Sequence, residues 1–157
     1  MRAFVALNLP DATRGALWAA TEPLRNLDLP VKWARADAIH LTLKFLGEID
    51  DARVVELTAA LQRAATDARV LPLALEGFGA FPDPAHARVI WAGMTAEPAL
   101  ELLQHAVERE FAPLGFPTEA RAFRPHVTLG RAKRDGTNRR PSAREGCGLG
   151  CVRPLGG

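Results

Sequence analysis

The sequence predicts an α+β protein, with helices covering one face of largely antiparallel sheets. Three observations lead there. Strand-like and helix-like segments follow one another in the order β-α-β-β-α-β-β-α-β. Several of the strands come as hairpin-like pairs bounded by turn residues. At 157 residues, with 48% apolar and 24% charged side chains, the chain suits one domain or two small lobes sharing a core, and the composition argues against wholesale disorder.

Each element has its own signal. Arg2 to Leu9 is apolar at nearly every position and stops at Pro10, as a buried strand does. Asp11 stands at a helix N-cap position, and Leu17, Trp18, Thr21 and Leu24 recur at helical spacing. Residues 26–30 are turn-like, Val31 to Arg35 alternates as a short strand, and Ile39 to Leu46 is a strand closed by Gly47. Asp50 or Asp51 opens the clearest helix, with Val54, Leu57, Val55 or Thr58, Leu61 and Ala65 along one face. Val70 to Phe78 reads as a strand, and Gly77, Gly79, Pro82, Asp83 and Pro84 as the loop before its partner, Ala87 to Met94. Thr95 is a candidate N-cap for a third helix carrying Pro98 in its first turn and Leu100, Leu103, Val107 and Phe111 on one face. Pro113, Gly115 and Pro117 break that helix, after which Glu119 to Phe123 and His126 to Ala132 read as strands interrupted at Pro125. From Asp135 onward the Gly/Arg/Pro-rich sequence has no period, which sets residues 135–157 apart from a domain spanning 1–134.

Several classes of protein are set aside. No apolar run reaches the length of a transmembrane helix, and the N-terminus has neither signal-peptide nor transit-peptide character, so a soluble, cytoplasmic protein with no membrane partner is expected; it is also expected to be a monomer. Cys147 and Cys151 cannot make a disulfide framework, and no histidine lies near enough in sequence for a closed zinc site. No pairing of histidine, cysteine and carboxylate suggests a metal, and no glycine-rich phosphate loop precedes a helix, so neither metal nor cofactor is expected. Charge is unevenly spread. Residues 120–157 hold nine of the 20 basic side chains but two of the 18 acidic ones, which suits a polyanionic partner.

One short word occurs twice: His40-Leu41-Thr42-Leu43 and His126-Val127-Thr128-Leu129. Strand residues alternate faces, so each His and Thr share one side while the aliphatics anchor the other. Two imidazoles and two hydroxyls around one point suit in-line displacement at phosphorus. One ring takes a proton from the attacking oxygen, the other protonates the leaving oxygen, and the hydroxyls donate to non-bridging oxygens. Either histidine can fill either role. His86, in a hairpin loop, and His105, off the apolar face of the third helix, read as solvated.

The chain resembles the 2H phosphoesterases, and within them the RNA 2′,3′-cyclic phosphodiesterases once called 2′-5′ RNA ligases. The resemblance covers about residues 2–134 and rests on four stretches: 2–10 (RAFVALNLP), 39–48 (IHLTLKFLGE), 79–84 (GAFPDP) with 87–93 (ARVIWAG), and 123–131 (FRPHVTLGR). It implies a bilobal, pseudo-twofold symmetric α+β fold of two largely antiparallel sheets, with helices packed outside and a central cleft carrying the two His-x-Thr motifs. It implies metal-independent opening of an RNA-terminal 2′,3′-cyclic phosphate to a 2′-phosphate, without a cofactor. His40 and His126 would be the acid–base pair, Thr42 and Thr128 the phosphate-binding hydroxyls, and Arg131 a phosphate contact. Phe4 could offer a ring to a nucleobase or pack in the core. The basic side chains Arg121, Arg124, Arg131, Lys133 and Arg134 surround the second word and would serve a phosphate. Reversible 2′-5′ ligation with the same residues and a non-catalytic RNA-end binding module are the competing readings. Relatives carry strand-forming sequence after the second word, and residues 135–157 depart from it.

Overall fold

The structure is a computed structural model that describes residues 1–95 and 97–133. The tail set apart at 135–157, with its two cysteines, and Arg134 lie outside those residues. In chain order the elements are β1 (Arg2–Asn8), α1 (Asp11–Ala20), α2 (Glu22–Arg25), β2 (Val31–Trp33), β3 (His40–Glu48), α3 (Val54–Ala64), β4 (Leu75–Phe81), β5 (Val89–Met94), α4 (Pro98–Phe111) and β6 (His126–Ala132). The α+β class and the element order are those predicted. The chain divides into two compact units.

The first unit comprises Met1–Asn8, His40–Leu75 and Met94–His126. Here β1 runs antiparallel to β3, and α4 packs against both α3 and β3. Its core is Val5, Leu41 and Leu43 from the strands, Leu57, Ala60 and Ala64 from α3, and Leu100, Leu103, Val107 and Phe111 from α4. Each large side chain fully removed from water contributes roughly 1.5–3 kcal/mol. The four predicted core positions of α4 are therefore all buried, but of the predicted α3 face only Leu57 is. Val55 is 80% exposed and Val54 and Leu61 are partly exposed, while the small Ala60 and Ala64 are the other buried residues of the helix. Asp50 caps the 3₁₀ turn Asp51–Arg53 that leads into α3, accepting from the Ala52 amide at 2.9 Å.

The second unit comprises, among the described residues, Leu9–Ile39, Glu76–Gly93 and residues 127–133. Its sheet runs β2-β6-β5-β4, with β2 antiparallel to β6 and Trp33 opposite Gly130. Leu17 is fully buried, Thr21 Oγ donates to the Trp18 carbonyl at 2.7 Å, and the Arg25 guanidinium lies 3.7 Å from the centre of a Trp18 ring. Arg35 holds Asp37 through two hydrogen bonds of 3.1 and 2.9 Å, which keeps that carboxyl below the usual carboxylate range.

Several boundaries differ from expectation, each for a visible reason. Helix α1 starts at Asp11, after Pro10, and the Asp11 carboxylate binds the Arg14 side chain instead of capping the backbone. Thr95 does not cap α4. Its hydroxyl donates to the Ala74 carbonyl, and the helix begins at Pro98, whose fixed φ suits a first helical residue. The strand expected over 70–78 starts at Leu75, with Val70 98% exposed. It runs on through Gly77 and Gly79 because the Trp91 indole covers Gly79, where a Cβ would overlap it. Strand β3 likewise continues past Gly47, which absorbs a register shift at φ +71°. Residues 119–123 form no strand, since Glu119 bonds back to the Arg121 amide and only Phe123 is shielded from water.

Candidate active site

The two His-x-Thr words occupy the same place on their strands. His40 is the first residue of β3 and His126 the first of β6. Both strands show the same alternation of shielding over their first six positions, ending with two consecutive buried residues and then an exposed one. Leu41 and Val127 are fully buried, and Leu43 and Leu129 nearly so, while each histidine and threonine is half-buried. On each strand the apolar anchors thus leave the polar pair on the half-open side, as the alternation requires.

In the first unit, β1 supplies the floor for His40. Asn8 lies opposite His40, Ala6 opposite Thr42 and Phe4 opposite Phe45. Only small side chains stand between Phe4 and the histidine, so the Phe4 ring stacks on the imidazole at 4.7 Å and 16°. Phe4 is 47% exposed, which resolves its two readings against the core. The same unit contains His126, whose Nδ1 donates to the Arg124 carbonyl at 2.7 Å. A carbonyl can only accept, so Nδ1 carries the proton and the neutral ring accepts protons at Nε2.

In the second unit, Thr128 is half-buried on β6 and Arg131 is exposed opposite Lys32 on β2. Gly130, between them, lies under Val31 and Trp33, which closes that side of the strand. His86 is exposed and bonded to Asp83 at 3.1 Å, and His105 is exposed on α4, as expected for solvated residues. Among the described residues no group of three or more His, Cys, Asp or Glu could hold a metal ion, and no helix is long and apolar enough to cross a membrane.

Residues 7–91 match the family model described as LigT like Phosphoesterase, a span that includes His40 and Thr42. The chain belongs to the LigT-like phosphoesterase family. A relative from Archaeoglobus fulgidus named RNA 2′,3′-cyclic phosphodiesterase is 32% identical over 134 residues, covering 85% of this chain and 74% of that protein. One of the same name from Methanothermobacter thermautotrophicus is 29% identical over 133 residues, covering 85% and 72%. Among solved structures, a Thermus thermophilus protein superimposes with a TM-score of 0.71 at 31% identity, covering 90% of this chain and 79% of that one. Escherichia coli LigT, crystallised with 3′-AMP, gives a TM-score of 0.61 at 28% identity, covering 87% and 76%. This LigT-like phosphoesterase also has a feature that simple alternation misses. Leu43 and Leu46 are extra residues on β3 where the register to β1 shifts. The shift at Leu43 turns Lys44 into the core, where its ammonium meets Glu108 and donates to the Pro117 carbonyl at 2.9 Å. It turns Phe45 out onto the face of His40 and Thr42, 65% exposed. The one sequence signal of irregularity was Gly47, since Lys44 falls where alternation expects an exposed residue.

Proposed function

We propose that this protein opens the 2′,3′-cyclic phosphate of an RNA end to a 2′-phosphate, using His40 and His126 as general acid and base and no metal ion. The observation that carries the reading is the repeated word set at the first position of two strands with matching burial. The naming of several relatives as RNA 2′,3′-cyclic phosphodiesterases supports the same choice of substrate.

In the proposed reaction a water oxygen attacks phosphorus and gives its proton to one imidazole. The P–O3′ bond breaks, and O3′ takes a proton from the other imidazole, leaving the phosphate on O2′. Charge accumulates on the two non-bridging oxygens as the pentavalent state forms. The Thr42 and Thr128 hydroxyls donate to these oxygens, and Arg131 adds positive charge and a planar donor set. The Arg124 carbonyl holds the His126 ring in the tautomer that accepts at Nε2 and also steadies the imidazolium. The stacked Phe4 fixes the plane of the His40 ring and offers an edge to the terminal nucleobase.

Incubation with a nucleoside 2′,3′-cyclic phosphate in excess EDTA, with the product isomer identified, tests the proposal. The expected product is the 2′-phosphate at an undiminished rate. A 3′-phosphate product, loss of activity with the chelator, or tight binding without turnover overturns it.

A further inference from the structure

We infer that Phe45 forms a second nucleobase platform beside Phe4, so that the site takes an oligonucleotide end in preference to a cyclic mononucleotide. The inference rests on the phosphodiesterase reading and extends it to the nucleotide preceding the reacting one.

Four observations point the same way. Phe45 is 65% exposed on a strand whose leucines at 41 and 43 are buried, so its apolar ring meets mainly water. It reaches that face only through the shift at Leu43, an arrangement that requires a lysine to be buried and paired in its place. A simple alternating strand would have put Lys44 outside and Phe45 in the core, at no cost in charge burial. The exposed ring is therefore the feature that the irregular strand secures.

Its position suits a neighbouring nucleotide. The Phe45 ring lies 6.3 Å from Phe4, tilted by 54°, and Phe4 in turn stacks on His40. Contacts thus pass from His40 to Phe4 and from Phe4 to Phe45. Successive nucleotides step along a strand by roughly 3.4 Å when stacked and further when extended. A base on Phe45 is thus one nucleotide removed from a base at Phe4. Every base has a π-face, so a bare phenyl platform selects chain length and tolerates sequence.

The test compares adenosine 2′,3′-cyclic phosphate with the dinucleotide ApA ending in a 2′,3′-cyclic phosphate. For the unaltered protein, kcat/KM should favour the dinucleotide by about ten-fold, the order that one base–aromatic stack supplies. Phe45→Ala should bring the ratio towards one, and Phe45→Trp should retain or raise it. Turnover of both substrates with a ratio that Phe45→Ala leaves unchanged overturns the platform alone. Failure of the unaltered protein to turn over either substrate overturns the phosphodiesterase reading, and the platform with it. An unchanged ratio with an oligomeric state altered by Phe45→Ala makes the ring a self-association surface and also overturns the inference.

Discussion

Strands β3 and β6 begin with the same word and the same order of buried and exposed positions, then put different chemistry at the matching places. Four residues after the histidine, β3 buries Lys44 and β6 buries Gly130. Five residues after it, β3 exposes the ring of Phe45 and β6 exposes the guanidinium of Arg131. The Phe4 ring stacks on His40, and His126 Nδ1 donates to the Arg124 carbonyl. On the proposed reading, the shared frame carries an acid–base pair while recognition is divided between the strands. In the proposed reaction one strand offers aromatic surface to bases, and the other offers positive charge to phosphate.

The largest expected effect tests whether the two words are equivalent in the chemistry. His40→Ala and His126→Ala should each lower kcat/KM for a cyclic phosphate by about two to four orders of magnitude. The pH–rate profile of the unaltered protein should be bell-shaped and report the pair, not either ring alone. If one alanine variant stays near the unaltered rate while the other is inactive, the words are not partners in acid–base catalysis.

The polar pairs were legible in the sequence because alternation within a strand is local. An apolar residue at each second position fixes which way the histidine and threonine point, whatever the rest of the chain does. Leu41, Leu43, Val127 and Leu129 all behave as that pattern requires. The α4 face was legible for the same reason. Phe45 and Lys44 were not, since their orientation depends on a register shift against β1 and on a carboxylate 64 residues away. Strand ends were also non-local. Gly79 reads as a loop residue until Trp91 is placed over it, and Thr95 reads as a helix cap until Ala74 is placed beside it.

A second comparison concerns the buried position itself. Lys44 and Glu108 both have side chains about 5% exposed, so each charge depends on the other. Lys44→Ala leaves a buried carboxylate without its cation and should cost about 3–5 kcal/mol of stability, measured by urea unfolding. Replacing both residues, Lys44→Met with Glu108→Leu, should recover most of that loss because the desolvation of two charges is also removed. A double variant as unstable as the single one would mean that packing around Lys44, not charge pairing, holds this part of β3.

At the matching place on β6 the constraint is steric. A Cβ on Gly130 would come within 2.6 Å of Val31 Cγ1 and 3.0 Å of Trp33 Cε3, on the strand that pairs directly with β6. Valine is stiff about χ1 and the indole is held in the sheet, so neither yields easily. Gly130→Ala should therefore cost about 1–3 kcal/mol by the same urea measurement, less than breaking the ion pair. Shortening the neighbour, Gly130→Ala with Val31→Ala, should recover part of the loss if contact with Val31 is the cause. An unchanged midpoint for Gly130→Ala would show that β2 can move away from β6 at little cost. Arg131, opposite Lys32 in that same pair of strands, would then be held less firmly than Phe45 on β3.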